Sequence, residues 1–349
     1  MAIPSQEPPT ASATAPGRTM KAIVRDRYGP ADVLELRDVE VPRAGDGEVL
    51  LRVRAAGLDR GAWHIMAGMP YLMRLAGFGV RAPKHAGLGS DVAGVVEEVG
   101  AGVSALQAGD AVFGTCGPSS RAASFAEYAV ARPDRLARMP ANLTFEQAAA
   151  VPVSGQTALQ ALRDKGRVRA GQSVLVIGAS GGVGTFAVQI AKALGAHVTG
   201  VCSTGKVDLV RSLGAEHVID YTRAEITDDD RRYDLILDIA GNRPLRLLRR
   251  ALTSDGTLVF VGGEDGDRWI GGLDRPARAM ALSPLVKQRL GTPWFVASEN
   301  STDLDELRRM IEAGEVTPVI SSVVQLADVP DAIRDLAAGR VQGKVVITP

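Results

Sequence analysis

Two cysteines in 349 residues are too few for a disulfide scaffold or a cysteine-rich zinc lobe. Histidine occurs four times, at His64, His85, His197 and His217, which leaves few ligands for a histidine metal centre. Neither charge is in surplus, since 40 Lys+Arg face 40 Asp+Glu. That argues against nucleic-acid binding through bulk charge, which needs an excess of cations against phosphate. No uninterrupted apolar run reaches ~18 residues, so no membrane-spanning helix and no membrane partner is expected, and the expected location is cytoplasmic. Residues 1–18 are rich in Pro, Ala, Ser and Thr, contain Glu7 and lack a signal-peptide core. They read as a disordered tail ahead of a fold that starts near Met20.

Glycine is plentiful instead, at 39 residues, and it marks the turns. Residues 20–140 hold short Val-rich runs (KAIVRD, LELRDVEVP, EVLLRVRAAGL, AGVVEEVG, DAVFGT, EYAVAR) broken by Gly29-Pro30, Gly45-Asp46-Gly47 and Gly109-Asp110. Such spacing predicts a barrel- or sandwich-like β domain. The pattern changes near Asn142. TFEQAAA reads as a helix opened by a Thr-x-Glu-like cap, and SGQTALQALRDKG as a second helix. From Ser173 apolar strands alternate with periodic helices: SVLVIGA, VGTFAVQIAKALG, HVTGVCS, KVDLVRSLG, HVIDY, YDLILDIAG, PLRLLRRALTSDG, TLVFVGG. Apolar strands with helices between them predict a doubly wound parallel sheet. TPWFVAS reads as a sixth strand at its edge, DLDELRRMIEAG as a helix, and VISSVVQL with KVVITP as a return to the first domain. The expected layout is a tail over residues 1–18, a β domain over 19–143 plus 300–349, and an inserted cofactor domain over 144–299.

The chemistry-bearing motif is the strand-to-helix turn at residues 178–184. The dinucleotide signature is G-x-G-x-x-G; here Ala179 takes the first Gly position, followed by Ser180, Gly181, Gly182, Val183 and Gly184. Small residues let the backbone approach a diphosphate, and the helix start supplies N–H donors and the positive dipole end. The next strand ends in Ser203-Thr204-Gly205-Lys206, without the acid that holds the ribose hydroxyls of NAD. Hydroxyls and an ammonium suit a 2′-phosphate, so the expected cofactor is NADPH; the bland reading makes Lys206 a solvated helix-start residue. Tyr221 is placed either against the adenine and phosphate or at the sheet edge.

Taken together, AAGLDRGAW, LGSDVAGVVEEVG, AGDAVFG, FAEYAVA, VPVSGQTALQAL, VLVIGASGGVGTFAVQIAKALGAHVTGVCS, LGAEHVIDY, DLILDIAG and QGKVVI resemble the medium-chain dehydrogenase/reductase superfamily. Within it the chain is similar to the zinc-free quinone oxidoreductase-like branch. The resemblance covers roughly residues 20–349, most specifically 174–221. It implies an α/β fold in which a GroES-like β-barrel-type catalytic domain carries an inserted doubly wound Rossmann domain, with the active site between them. Zinc-dependent relatives need an early Cys, a Gly-His-Glu segment and a further Cys or acid. Here the first falls on Leu58 or Asp59, Ser90-Asp91 replaces His-Glu, and VPVSGQTAL has no Cys. No metal is therefore expected. Cys116 and Cys202 are expected far apart, and His197 and His217 read as structural.

The resemblance implies hydride delivery from NADPH to a quinone or to the C=C bond of an α,β-unsaturated carbonyl. Asp59 stands where the family often has Asn, and Ala62 where it has Asp, so no catalytic residue is assigned. Asp59 is either a polar pocket group or a turn residue. Trp63, His64 and Tyr71 either line the substrate pocket or pack a short helix and loop. Thr157 resembles a family Thr near the nicotinamide, or caps a helix. Phe260, Val261 and Gly262 end the fifth strand at the expected nicotinamide edge. Gly343-Lys344 resembles a segment returning to the cofactor, unless Lys344 is a surface charge. Residues 264–290 read as a lid or a surface helix, and Arg246, Arg249, Arg250, Arg275, Arg278 and Arg289 as solvated faces. TPWFVAS, an apolar edge, suggests a homodimer. The alternatives are an enoyl-thioester reductase, with Tyr71 as the available proton donor, or an NADPH-binding sensor without turnover.

Overall fold

The computed structural model describes residues 18–117, 123–241, 243–263, 266–291 and 297–349. The expected tail falls outside these residues except for Arg18. That residue belongs to the fold: its carbonyl accepts from Val41 N at 2.8 Å and its guanidinium pairs with Glu97 at 3.3 Å.

The chain opens with β1 (Thr19–Val24) and β2 (Glu35–Glu40), an antiparallel pair. Then come β3 (Val49–Leu58), helices α1 (Arg60–Ala67) and α2 (Tyr71–Met73), and strands β4 (Asp91–Val99), β5 (Ala111–Thr115), β6 (Tyr128–Ala131) and β7 (Leu136–Arg138). Helix α3 (Phe145–Ala149) starts at a capping box in which Thr144 and Gln147 bond reciprocally. The partner is Gln147 rather than the Glu146 that a Thr-x-Glu reading picks, because the box needs the third residue after the cap. Helix α4 (Pro152–Gln160) runs on into a wider turn at residues 161–166.

The alternating region holds β8 (Ser173–Ile177), α5 (Gly182–Ala193), β9 (His197–Cys202), α6 (Val207–Ser212), β10 (His217–Asp220), β11 (Tyr233–Asp238), α7 (Leu245–Ala251) and β12 (Leu252–Phe260). It continues through α8 (Asp274–Leu282) to β13 (Arg289–Leu290). These strands form a parallel six-stranded sheet in the order β10-β9-β8-β11-β12-β13. Helix α7 is shorter than its sequence pattern, since Leu252 already pairs with Tyr233. The sixth strand is β13, ahead of TPWFVAS; residues 292–296 lie outside the described residues.

Finally α9 (Ser301–Glu312), β14 (Ile320–Gln325), α10 (Val329–Ala337) and β15 (Lys344–Thr348) lead the chain back. Strand β15 pairs antiparallel with β3, so the last residues complete the seven-stranded sheet of the first domain. One buried apolar cluster joins the two sheets. It runs from Ala55 and Phe113, through Ala149 and Leu159 of α3 and α4, to Val174 and Val198. The cleft between the sheets is therefore backed by shared core.

Candidate cofactor and substrate site

The turn after β8 has the shape its composition calls for. Gly178 has φ +88°, a left-handed backbone open to glycine at no steric cost. A Cβ on Gly184 would lie 2.1 Å from the Gly178 carbonyl oxygen, so α5 crosses the turn at a distance only glycine permits. A Cβ on Gly181 would meet nothing nearer than 3.6 Å, leaving the outer side open. Ala179 and Ser180 are buried, while Gly182 and Val183 lie half-buried at the helix start. This cradle fits a dinucleotide diphosphate, with the free N–H groups of α5 as donors.

The end of β9, where the adenosine is expected, has one neighbour that the sequence reading missed. Thr204 donates its hydroxyl to Asp220 at 2.6 Å and lies 2.9 Å from the Thr222 hydroxyl. The Thr204 bond, with those donated by the Thr222 hydroxyl and N–H, holds the Asp220 carboxyl below its ordinary range. Asp220 ends β10, and the parallel register sets it beside Cys202. It lies 18 residues after Cys202 in sequence, so inspection of the β9 end alone passes over it. Lys206 donates to the carbonyls of Gly339 and Val341 at 3.1 and 3.0 Å, which ties the rim of the site to the C-terminal segment. Ser203 is half-buried and Tyr221 is 55% exposed at the rim.

Lys344 is not a surface charge. It is 2% exposed and donates to Asp91 at 2.7 Å. Asp91 is completely buried, accepts from Val153 N at 2.8 Å, and is pushed up to about 7 chiefly by burial, against the pull of Lys344. The pair joins β4, α4 and β15 at one point. Next to it, Gly343 N donates to Ser180 O at 2.9 Å, and a Cβ on Gly182 would touch the Lys344 stem at 3.1 Å. Lys344 thus supports the diphosphate turn from behind, with its ammonium spent on Asp91.

At the end of β12, the expected nicotinamide edge, Phe260 is buried and Val261 and Gly262 are half-buried, with a Cβ on Gly262 only 2.1 Å from Ile239 O. Thr157 turns its hydroxyl back to Val153 O at 2.6 Å. Arg275, read from sequence as solvated, instead pairs with the fully buried Asp238 and donates to Arg243 O at 2.7 Å. An acid closing an apolar strand was the available signal, since such a carboxylate requires a cation once buried.

On the substrate side, Asp59 is the N-cap of α1, accepting from Ala62 N at 2.9 Å, and its charge reaches Asp91 and Glu299. Trp63 packs half-buried against the first domain's core, and the His64 ring bonds to Met69 O at 2.9 Å. Tyr71 meets Trp269 edge-to-face at 5.3 Å. Glu299, absent from the sequence reading, bonds Ser90 at 3.4 Å, Thr115 at 3.0 Å and Arg135 at 2.6 Å, and burial raises its pKa.

These partners decide the fit of a catalytic zinc. Ser90 sits on Glu299, Asp91 is taken by Lys344, Glu299 by Arg135, and Asp59 by a helix N-terminus. Cys116 is buried as a free thiol, and burial pushes its pKa up. Among the described residues no three His, Cys, Asp or Glu side chains converge as a metal site. Cys202, with burial raising its thiol to about 11, ends β9, and His197 pairs with Glu216 at 3.0 Å.

A fold of this kind, with a glycine-lined turn facing a β-barrel cleft, defines a dinucleotide-dependent oxidoreductase class. Residues 45–141 match the alcohol dehydrogenase GroES-like domain, and residues 213–347 match the zinc-binding dehydrogenase domain. The chain is 33% identical over 355 residues to a mitochondrial NAD(P)H oxidoreductase of Danio rerio, covering 94% of this chain and 91% of the relative. It is 33% identical over 342 residues to 2-methylene-furan-3-one reductase of Solanum lycopersicum, covering 95% and 79%. The quinone oxidoreductase structure from Coxiella burnetii superposes with a TM-score of 0.83 at 29% identity, covering 95% of this chain and all of that one. The chain belongs to the medium-chain dehydrogenase/reductase superfamily, in its quinone oxidoreductase-like branch.

Proposed function

We propose that the chain is a zinc-independent, NADPH-dependent reductase of quinones or of the C=C bond of α,β-unsaturated carbonyls. The names of its relatives support a nicotinamide-dependent oxidoreductase. The observation that carries the zinc-independent reading is the fate of Ser90-Asp91, both engaged by protein partners beside a turn built for a diphosphate. The reading assigns residues 19–143 with 300–349 to the catalytic domain and 144–299 to the cofactor domain. It also includes a homodimer formed at the sheet edge beyond β13.

When bound, the nicotinamide supplies a hydride. The chain's own residues do the rest. The residue 178–184 turn and the α5 N-terminus hold the diphosphate; Ser203, Thr204, Lys206 and Tyr221 hold the adenosine end. Lys206 retains donor capacity beyond its two carbonyl bonds, which suits a 2′-phosphate. Val261 and Gly262 set the nicotinamide edge, and Tyr71 meets Trp269 edge-to-face on the substrate side. A proton from water completes the reduction.

The test is NADPH consumption with 1,4-benzoquinone, an alkenal and crotonyl-CoA, before and after exhaustive chelation. Turnover of the quinone or alkenal, unchanged by chelation, is expected. Loss of activity that added zinc restores refutes the metal-free reading. Preference for crotonyl-CoA favours the thioester alternative, and tight NADPH binding without turnover favours the sensor.

A further inference from the structure

Helix α4 presents two hydroxyls on one face, Ser154 and Thr157, a spacing that makes them neighbours on a helix. The Thr157 hydroxyl is spent on Val153 O. The Ser154 hydroxyl makes no hydrogen bond among the described residues, although Ser154 is only 2% exposed. Buried hydroxyls are nearly always partnered, so one left open calls for a group that the folded chain does not supply. Its surroundings say where it stands. A Cβ on Gly182 would lie 3.1 Å from Ser154 Oγ. Gly182 is the first residue of α5, a helix of 12 residues, and a Cβ there tilts toward the helix N-terminus. Ser154 Oγ is therefore beside the first turn of α5, where the N–H groups lack partners within the helix. Gly181 is the N-cap and brings no side chain, so no side chain caps those groups.

The hydroxyl is also held in place. Val153 N donates to Asp91 at 2.8 Å, which pins the start of α4, and Asp91 takes Lys344 at 2.7 Å. The Lys344 stem lies 3.1 Å from the same Cβ position on Gly182. The polar residues on the rest of α4 are occupied elsewhere: Gln156 Oε1 accepts from Asn300 N and Gln160 Oε1 from Ser298 N, each at 2.9 Å. We propose that Ser154 is a coenzyme-binding residue, its hydroxyl donating to a phosphate oxygen of the dinucleotide seated at the N-terminus of α5. A phosphate oxygen only accepts, and a hydroxyl bond to an anionic acceptor is of the strong, charge-assisted kind. The site then has a side-chain donor from α4 beside the backbone donors of the turn. This rests on the coenzyme reading above and extends it to a residue outside the glycine motif.

The experiment titrates the full chain and Ser154→Ala with NADPH, with ADP-ribose and with adenosine, following binding by NMR or calorimetry. ADP-ribose keeps the diphosphate and lacks the nicotinamide; adenosine lacks both. Ser154→Ala should weaken NADPH and ADP-ribose by a similar factor, about 10–100-fold, and leave adenosine unchanged. Its urea midpoint without ligand should match the parent's, because the hydroxyl has no partner in the free chain. Unchanged binding of ADP-ribose overturns the proposal, and so does weakening of NADPH alone, which would place the hydroxyl on the nicotinamide half. Equal weakening of all three ligands, or a lowered urea midpoint, gives Ser154 a structural role and also overturns it. A parent chain that binds neither NADPH nor ADP-ribose overturns the coenzyme reading itself, whereas a parent that binds both beside an unaffected variant overturns the Ser154 assignment alone.

Discussion

Replacing Lys344 by Met tests the buried pair that joins both domains to the cofactor turn. Lys344 and Asp91 are 2% and 0% exposed at the side chain, with a 2.7 Å contact. Removing the cation leaves a buried carboxylate bonded to Val153 N as its remaining partner in the structure. Breaking one side of such a pair costs about 3–5 kcal/mol. The sign with pH follows from Asp91, whose folded pKa of about 7 lies above its ordinary range because burial outweighs Lys344. A carboxyl raised on folding binds more protons in the native state, so its contribution to stability falls as pH rises from roughly 4 through 7. Without Lys344 the folded pKa climbs further. The deficit of Lys344→Met relative to the parent should therefore be small at acid pH and open to its full size above neutrality. Urea unfolding at a series of pH values measures it. Asp91→Asn combined with Lys344→Met should recover most of the loss at alkaline pH, because no buried charge remains. A loss independent of pH, or a double variant no better than the single, would refute the reasoning.

Lys206→Glu should raise the KM for NADPH by about 10–100-fold and that for NADH much less, since the loss of charge-assisted bonds to a 2′-phosphate adds to the loss of the two carbonyl bonds that both coenzymes share. An equal effect on both coenzymes sinks that assignment. Gly184→Ala puts a Cβ 2.1 Å from Gly178 O. It should cost about 1–3 kcal/mol of stability and weaken coenzyme binding, as read by unfolding and fluorescence titration. Arg275→Met strands the buried Asp238 and should destabilise by about 3–5 kcal/mol, with Asp238→Asn in the same chain recovering much of it in urea unfolding.

The glycine-spaced turn and the alternation of apolar strands with helices were legible because their signals are local. Period, turn chemistry and caps act over a few residues. Boundaries were less so: α7 stops at Ala251 because Leu252 is drawn into the sheet beside Tyr233. The Thr144 cap was visible, although its partner proved to be Gln147. The site reading anticipated the turn geometry where the backbone makes the candidate site, at residues 178–184. It was poor where side chains from distant segments do, as with Asp220 beside Thr204, Glu299 on Ser90 and Arg275 on Asp238.

By itself, then, the sequence determined the order of strands and helices, the glycine turn and the shortage of soft metal ligands, since each is a property of neighbours along the chain. Only the tertiary structure decided what the ionisable groups do. Lys344 and Asp91 are 253 positions apart, and nothing local to either shows that β15 returns alongside β3 and brings them together. Burial then acts on both at once: it makes each charge costly alone, and so makes the partner, rather than the residue type, the determinant of its role.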